Sequence, residues 1–415
     1  MAPLLLLDWA LLTACAAVGF FVLLVRIWLA LPRRDAPALR VPKEKRVRCL
    51  VVLGSGGHTA EMFYDLASLE RWSDGFAATY LIANTDGGSK EKAESFEQER
   101  GNSQAEIVWV PRAREVGQSY VSSIWTTLKA AWASLWIVLW LMPDVVLCNG
   151  PGTCVPVVAS AYIARVLGLK RIAVVYSESF ACVEHLSLSG RILYPLADSF
   201  TVQWPQLKAE HPAAVYAGRL EASADGLGIS GDGLPPLGPT SGLQNEEAPA
   251  TAWVTVGSTK FDDLIQAVDC REVQQRLHSL GIQDLRVQRG RGSYVPSAIT
   301  ERGTEPVTTV LEFVPDLPNQ LRRASLVISH AGAGTILDCL AAGRRLVVVP
   351  NERLMANHQV QLGMALQKAG LLYCLKCGEL ADGLQRLDFG SLRRFPTATS
   401  PAFGRCLQRV LGRSE

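Results

Sequence analysis

Cys49-Leu50-Val51-Val52-Leu53-Gly54-Ser55-Gly56-Gly57-His58-Thr59, near the start of the chain, and Leu326-Val327-Ile328-Ser329-His330-Ala331-Gly332-Ala333-Gly334-Thr335, in its second half, follow one plan. Each has a short apolar run, then a glycine-rich turn, then a stretch of helical character, Thr59 to Glu70 and Thr335 to Ala342. A strand, a tight turn and a helix start leave several backbone N–H groups unpaired where the helix dipole is positive. Such a point attracts anions, phosphate above all. Two of these turns, in two successive α/β halves, predict a cleft built around pyrophosphate chemistry.

The rest of the chain repeats the same rhythm. In the first half, strand candidates (48–53, 79–83, 107–111, 145–148, 172–176 and 199–202) alternate with helical stretches, which implies a parallel sheet with right-handed crossovers. Residues 221–250 break the pattern with Gly, Pro, Ser and Asp, and this composition predicts a flexible linker. Strands then recur at 253–256, 285–288, 307–313, 326–329, 346–349 and 371–373, and the amphipathic segment 402–411 ends the sequence. At 415 residues the chain accommodates about two domains.

A net charge of +2 gives no bulk argument for nucleic-acid binding. The ten cysteines sit mostly in or beside apolar runs, as reduced core cysteines do, and Cys374-Leu375-Lys376-Cys377 is a lone CxxC. No His, Cys, Asp or Glu set has metal-ligand spacing.

The N-terminus is of another kind. Trp9 to Leu31 is about 23 residues, almost wholly apolar, enough to cross a hydrocarbon core of ~30 Å. Trp9 and Trp28 lie at its ends, Arg26 is near enough to the end to snorkel, and Arg33, Arg34, Arg40, Lys43, Lys45, Arg46 and Arg48 follow. The basic flank predicts a single-pass anchor with everything after residue 31 in the cytosol. A cleaved signal peptide would have a basic n-region and an apolar core of only roughly 7–15 residues. Residues 121–142 hold Trp125, Trp132, Trp136 and Trp140 with only Lys129 charged, and are expected to form an interfacial or packed helix rather than a second span.

The residues that could do chemistry fall at strand ends. His58 follows the first Gly turn at a helix start and is either a general base or a cap; a helix N-terminus favours its neutral form. Glu61 is three residues on, on the same helix face. Asn149-Gly150-Pro151-Gly152-Thr153 makes a third small-residue turn, and Glu178 after the next strand is a fallback base. With Gly54, Ser55, Gly56 and Gly57, the residues Asn149, Gly150, Gly152, Thr153 and Glu178 form the candidate acceptor and diphosphate site. In the second half, Gly257, Ser258, Thr259, His330, Gly332, Ala333, Gly334 and Thr335 are candidate donor-site residues. So are Asn351, Met355, Asn357, His358 and Gln359. Asp338 lies one helical turn beyond Thr335, suited either to ribose hydroxyls or to the helix dipole. Neither a Rossmann dehydrogenase nor a P-loop fits: the first turn lacks the final glycine of G-x-G-x-x-G, no acidic residue ends the strand at 79–83, and no G-x-x-x-x-G-K-[ST] occurs.

Two long motif sets resemble one enzyme family. Val254 to Ile265, Val327 to Thr335 and Val349 to Gln359 are similar to the catalytic, donor-binding subunit of the UDP-N-acetylglucosamine transferase that makes dolichol-linked chitobiose. Val52 to Met62, Leu147 to Pro156, Val183 to Gly190 and Val202 to Pro205 are similar to its membrane-anchor subunit. These are usually separate polypeptides; here they are joined, anchor half first, and the family often has Glu where this chain has Asp338. The resemblance implies a GT-B glycosyltransferase, with two Rossmann-like domains facing across a cleft and an N-terminal transmembrane helix. Its boundaries would be 1–31 anchor, 32–220 acceptor-side domain, 221–250 linker and 251–415 UDP-GlcNAc-binding domain with a C-terminal docking helix. It implies inverting β1,4 transfer of the second GlcNAc from UDP-GlcNAc to GlcNAc-diphosphodolichol, with catalysis by His58 and Glu61 and no obligatory metal or other cofactor. Its implied partners are UDP-GlcNAc, the dolichol-linked acceptor, the endoplasmic reticulum membrane and the preceding GlcNAc-phosphate transferase of the pathway, without nucleic acid. A peptidoglycan-lipid transferase, a hydrolysing UDP-GlcNAc 2-epimerase and a non-catalytic nucleotide-sugar scaffold are the alternatives on this fold.

Overall fold

A computed structural model describes residues 2–34, 37–69, 72–102, 105–112, 120–223, 229–238, 250–257, 259–297, 303–314, 316–352, 358–396 and 400–413. The first half runs α1 (Ala2–Ala30), β1 (Val47–Val52), α2 (Gly57–Ala67), α3 (Trp72–Gly75), β2 (Phe76–Ala83), α4 (Gly87–Glu99), β3 (Glu106–Val110), α5 (Tyr120–Leu141), β4 (Val145–Asn149), α6 (Cys154–Leu167), β5 (Ala173–Ser177), α7 (Leu188–Leu193), β6 (Ser199–Val202), α8 (Pro205–Glu210) and β7 (Val215–Tyr216). The second runs β8 (Thr251–Thr255), α9 (Asp262–Asp269), α10 (Arg271–Ser279), β9 (Asp284–Gln288), β10 (Val307–Leu311), α11 (Leu317–Arg322), β11 (Leu326–Ser329), α12 (Ala333–Ala341), β12 (Leu346–Val348), α13 (His358–Lys368), β13 (Tyr373–Cys374), α14 (Leu380–Arg386) and α15 (Ala402–Val410).

Two parallel sheets result, ordered β3-β2-β1-β4-β5-β6-β7 and β10-β9-β8-β11-β12-β13. The central strands are continuous apolar runs because helices cover both faces: β1, β4 and β5 are buried almost throughout, as are β8 and β11. In each sheet the order reverses once, between β1 and β4 and between β8 and β11. The crevice at such a reversal is where open α/β sheets bind ligands. Both glycine-rich turns, after β1 and after β11, lie there.

The strands expected from the sequence are present, most with ends shifted by one to three residues. The short helices α8, α11 and α14 and the edge strand β7 were not legible, because six or seven residues carry too little periodicity. The expected flexible linker is corrected in part. Residues 229–238 pack on the second domain: Ile229 and Leu237 are buried, Leu237 N–H donates to Leu392 O at 2.7 Å, and Arg394 N–H donates to Pro235 O at 2.8 Å. Three spaced aliphatic residues (Ile229, Leu234, Leu237) and a free backbone edge at 392–394 suffice to fix it. Residues 224–228 and 239–249 lie outside the described residues.

α1 is the helix among the described residues that is long and apolar enough to cross a membrane; its window Thr13–Ala30 has a mean hydropathy of 2.1 and is 6 % buried. α5 has two faces. Ala130, Ser134, Ile137 and Val138 are buried toward the sheet and α6, whereas Trp125, Leu128, Trp132, Trp136 and Trp140 are all more than half exposed.

α15 leaves the second domain and completes the core of the first. Phe403, Leu407, Val410 and Leu411 are buried in one cluster with Met62 and Leu66 of α2 and with Leu147 and Val175 of the sheet. Leu39 N–H and Val41 N–H donate to Val410 O and Leu411 O at 2.9 and 3.0 Å, so the segment before β1 holds the helix in place. Phe403→Ala is expected to cost the first domain about 3–5 kcal/mol. A urea titration of the detergent-purified protein would read this as an earlier midpoint, and an unchanged midpoint would contradict the core role of α15.

Candidate active site

α2 and α12 meet across the domain boundary. A Cβ on Gly334 would lie 3.1 Å from Gly57 Cα and 3.7 Å from Ala60 Cβ, and Tyr64 Oη donates to Asp338 Oδ1 at 3.2 Å. Gly57 opposes Gly334 and Tyr64 opposes Asp338, so the helices run parallel with their starts together. Two positive helix ends, each equivalent to roughly half an elementary charge, therefore share one place. Glycine at both positions lets the backbones come this close; a Cβ at either would sit 3.1–3.3 Å from the other backbone, a tight contact. Ser55, exposed in the first turn, accepts from Arg112 Nη2 at 3.0 Å, which adds a cation at the rim.

His58 occupies the first turn of α2. Its ring lies against Gly150, whose φ of +51° and missing Cβ make the room, and Asn149 Nδ2 donates to His58 O at 2.6 Å. Gly54 packs on Pro151, while Thr59 Oγ1 donates back to Gly54 O, so the first and third turns form one unit. Thr153 is buried at the start of α6, beyond Gly152. The His58 imidazole is 34 % exposed, and its Nδ1 is 3.4 Å from Glu61 Oε2. Burial alone would push its pKa down; the Glu61 hydrogen bond and the charges of Glu61 and Glu178 outweigh that and raise it. This corrects the expectation that the helix start keeps His58 neutral: the carboxylate beside it decides, and it raises the pKa.

Glu61 is itself held. Ser179 Oγ donates to Glu61 Oε1 at 2.9 Å, so Oε2 is the oxygen turned to His58. Glu178, the fallback base, is 2 % exposed and lines, with Glu61, Tyr64 and Asp65, a cavity at the domain boundary. Its oxygens accept from Ser179 N, Ser187 N and Ser187 Oγ at 2.9, 3.1 and 3.1 Å, and Gly190 leaves room for the carboxylate. Burial raises its pKa. It holds Ser187, the residue that caps α7.

On the second domain, Gly257, Thr259, His330 and Gly332–Thr335 gather at the ends of the neighbouring strands β8 and β11. The His330 ring is wedged between Gly257 (φ +60°) and Gly332, whose added Cβ atoms would lie 3.0 and 2.5 Å from it. Burial lowers its pKa to about 4, so it is neutral, and its buried Nδ1 has no partner among the described residues. Ala331 holds a φ of +50°, a conformation that costs a non-glycine residue energy and that sets the turn. Thr259 Oγ1 donates to Val256 O at 2.7 Å and so faces its own strand end. Gln359 Oε1 accepts from Asn351 N at 2.9 Å and closes the loop after β12, with His358 opening α13. Ser258, Met355 and Asn357 lie outside the described residues. Asp338 lies at the domain boundary against Tyr64, and burial raises its pKa.

Tyr64, Asp65, Arg112 and Arg219 were not found by sequence reasoning. Asp65, one turn beyond Glu61, is pushed up to about 7, chiefly by burial. The Arg219 guanidinium stacks 4.9 Å from the Tyr64 ring centroid and 5.7 Å from that of Phe395. The i, i+3, i+4 spacing of Glu61, Tyr64 and Asp65 is a signal for one helix face; nothing local marks Arg219.

Residues 49–220 match the family described as "Oligosaccharide biosynthesis protein Alg14 like", and residues 251–406 match the "Glycosyltransferase family 28 C-terminal domain". The first half is 44 % identical over 215 residues to the human UDP-N-acetylglucosamine transferase subunit ALG14, covering 50 % of this chain and 95 % of that protein. It is 38 % identical over 215 residues to the Candida albicans subunit, covering 50 % and 97 %. In fold the whole chain is similar to MurG of Acinetobacter baumannii (TM-score 0.53, 17 % identity, 89 % of this chain and 95 % of that one). It is similar also to the glycosyltransferase SnogD of Streptomyces nogalater (TM-score 0.55, 17 % identity, 89 % and 100 %). The architecture is thus that of a GT-B glycosyltransferase, and the chain belongs to the Alg14-like family, its Alg14 half continuing in one polypeptide into a family 28 glycosyltransferase domain: anchor and catalytic halves fused.

Proposed function

We propose that the protein transfers GlcNAc from UDP-GlcNAc to GlcNAc-diphosphodolichol, with inversion and a β1,4 link, as an early step of lipid-linked oligosaccharide synthesis. The observation that carries this is the paired start of α2 and α12, with the His58–Glu61 pair beside it. The acceptor O4 attacks the anomeric carbon, the C1–O bond to UDP breaks, and the O4 proton passes to His58 Nε2 while Glu61 holds Nδ1–H. The leaving diphosphate is met by the N–H groups of both turns and by Arg112, an arrangement that needs no obligatory metal. Asp338, freed from Tyr64 when the domains part, is proposed to meet the ribose, and His330 to stay neutral beneath the diphosphate.

In this reading α1 spans the endoplasmic reticulum membrane once. The basic residues after it hold both domains on the cytosolic side, where the preceding GlcNAc-phosphate transferase is the proposed source of acceptor. The exposed Trp row of α5 lies along the bilayer surface, so the acceptor's head meets the cleft without leaving the membrane.

The deciding experiment incubates the purified full-length protein with labelled UDP-GlcNAc and a short-chain GlcNAc-diphosphate lipid. A lipid-linked disaccharide is expected; absence of UDP-GlcNAc binding would remove the donor-site reading. His58→Ala is expected to lower turnover by about 10²-fold or more, and turnover near wild type would end its role as base. Glu61→Gln should lower the His58 pKa, because burial is then opposed by the charge of Glu178 alone, and so move the acid limb of the kcat profile to lower pH. Ser179→Ala should shift the limb the same way by less, while leaving KM for UDP-GlcNAc unchanged. A profile that does not move would reduce both residues to packing. Asp338→Ala is expected to weaken UDP binding with little effect on the His58 pKa; unchanged UDP affinity would exclude it from the donor site.

A further inference from the structure

Where α1 enters the first domain, its C-terminal end packs on α6 around an open cavity of about 250 Å³ that the transfer reaction does not use. Arg26, Arg165, Lys170 and Arg171 line it, with Ala30 and Gly168. Its counter-charges are Asp198, which pairs with Arg165 and lies 3.6 Å from Arg171, and Asp144, 2.6 Å from Lys170. Four cations against two carboxylates leave two positive charges unbalanced. The remaining partners are neutral carbonyls: Val166 O accepts from Arg26 Nε at 2.8 Å, Ala30 O from Arg165 at 3.0 Å, and Leu29 O from Arg171 at 3.2 Å. These fix the guanidinium groups without cancelling their charge. Burial, together with the like charges of Arg165 and Arg33, depresses the Arg171 pKa although Asp198 opposes it.

The backbone is shaped for the cluster as well. Gly168 ends α6 with φ +74°, and a Cβ there would run into Arg26 Nη2, so the turn accepts only glycine. The residues on either side of it, Leu167 and Leu169, are 63 % and 55 % exposed. An apolar, exposed turn next to the end of a membrane helix places the cavity at the level where lipid headgroups lie. Basic pockets beside membrane helices bind anionic headgroups there.

We infer that the cavity between the end of α1 and the Gly168 turn binds the phosphate headgroup of an anionic phospholipid. The bound lipid neutralises the excess charge of the Arg26–Arg171 cluster and fixes the angle at which the domain leaves the bilayer. Arg26 and Arg171 supply the donors, and Leu167 and Leu169 contact the upper acyl chains.

The test uses the full-length protein in phosphatidylcholine nanodiscs with and without phosphatidylinositol, reading retained lipid by native mass spectrometry after release into detergent. Wild type is expected to retain one phosphatidylinositol. Arg26→Gln and Arg171→Gln should each weaken retention about fivefold, and the pair more, while Lys43→Gln, an exposed basic residue outside the cavity, changes it little. The melting temperature and UDP-GlcNAc binding of each variant report whether the domains remain folded, which keeps this result separate from the transfer reaction. Equal retention in wild type and the folded double variant would overturn the site. If inorganic phosphate binds the cluster while phosphatidylinositol neither binds nor competes, the ligand is a free anion and the lipid assignment is wrong.

Discussion

The contact between Gly57 and Gly334 is the constraint from which the rest of the architecture follows. Two helices that start side by side bring like ends of two dipoles together, an arrangement that repels in the absence of an anion. The close approach of the backbones is eased by the missing Cβ on both residues; a methyl at 334 would sit 3.1 Å from Gly57 Cα. Each helix start is fixed in turn by its own sheet, since β1 and β11 both lie at the point where strand order reverses. The charge deficit at the centre is thus built into the topology, and the polar residues around it (Ser55, Arg112, His58, Thr335) are arranged about a place reserved for negative charge.

The boundary between the domains is divided into polar contacts and an apolar part, in which Phe180, Trp204 and Leu220 share one buried cluster with Leu337 and Phe395. Near the helix starts it consists of glycine and alanine. One turn or two further it is the Tyr64–Asp338 hydrogen bond, with Arg219 stacked over Tyr64 and Phe395. At the far side Gln361 Nε2 donates to Glu184 Oε2 at 2.6 Å. Single hydrogen bonds contribute about 1 kcal/mol each, so the polar contacts hold the domains less than the shared apolar cluster does.

The strand, glycine and helix order made the fold readable because one chemical cause acts locally: the turn needs residues without side chains, and the strand before it must be apolar on both faces. His58 and Glu61 were readable for the same reason, being three apart on one helix. What failed to show were relations made through space. Ser179 follows Glu178 in the chain and looked no more important, yet it is Ser179 that holds Glu61 and Glu178 that turns into the 187–190 loop. Arg219 reaches Tyr64 from the end of the first domain, and Arg112 reaches Ser55 from the end of β3, separations that no periodicity encodes. The segment 229–238 was misjudged because three aliphatic residues among glycines and prolines look too few to order a chain. They suffice when a neighbouring edge at 392–394 supplies backbone partners.

Fusion changes what α15 must do. In two separate chains such a helix would have to supply association free energy against lost translational freedom, a cost of several kcal/mol or more. A tether of this length replaces that requirement with an effective concentration of roughly millimolar. If association were its only task, the helix in a fused chain would tolerate polar substitution on its buried face. It has kept Phe403, Leu407, Val410 and Leu411 fully or nearly buried, against Met62 and Leu66 of the same α2 that carries His58. That side of α2 is thus covered by α15 together with the sheet and with Phe96 of α4. The second domain reaches the candidate active site twice, directly through the turn at Gly332–Thr335, which meets α2 at Gly57, and indirectly through α15, which packs on α2. Joining the two chains removed the need for affinity and left the need for packing.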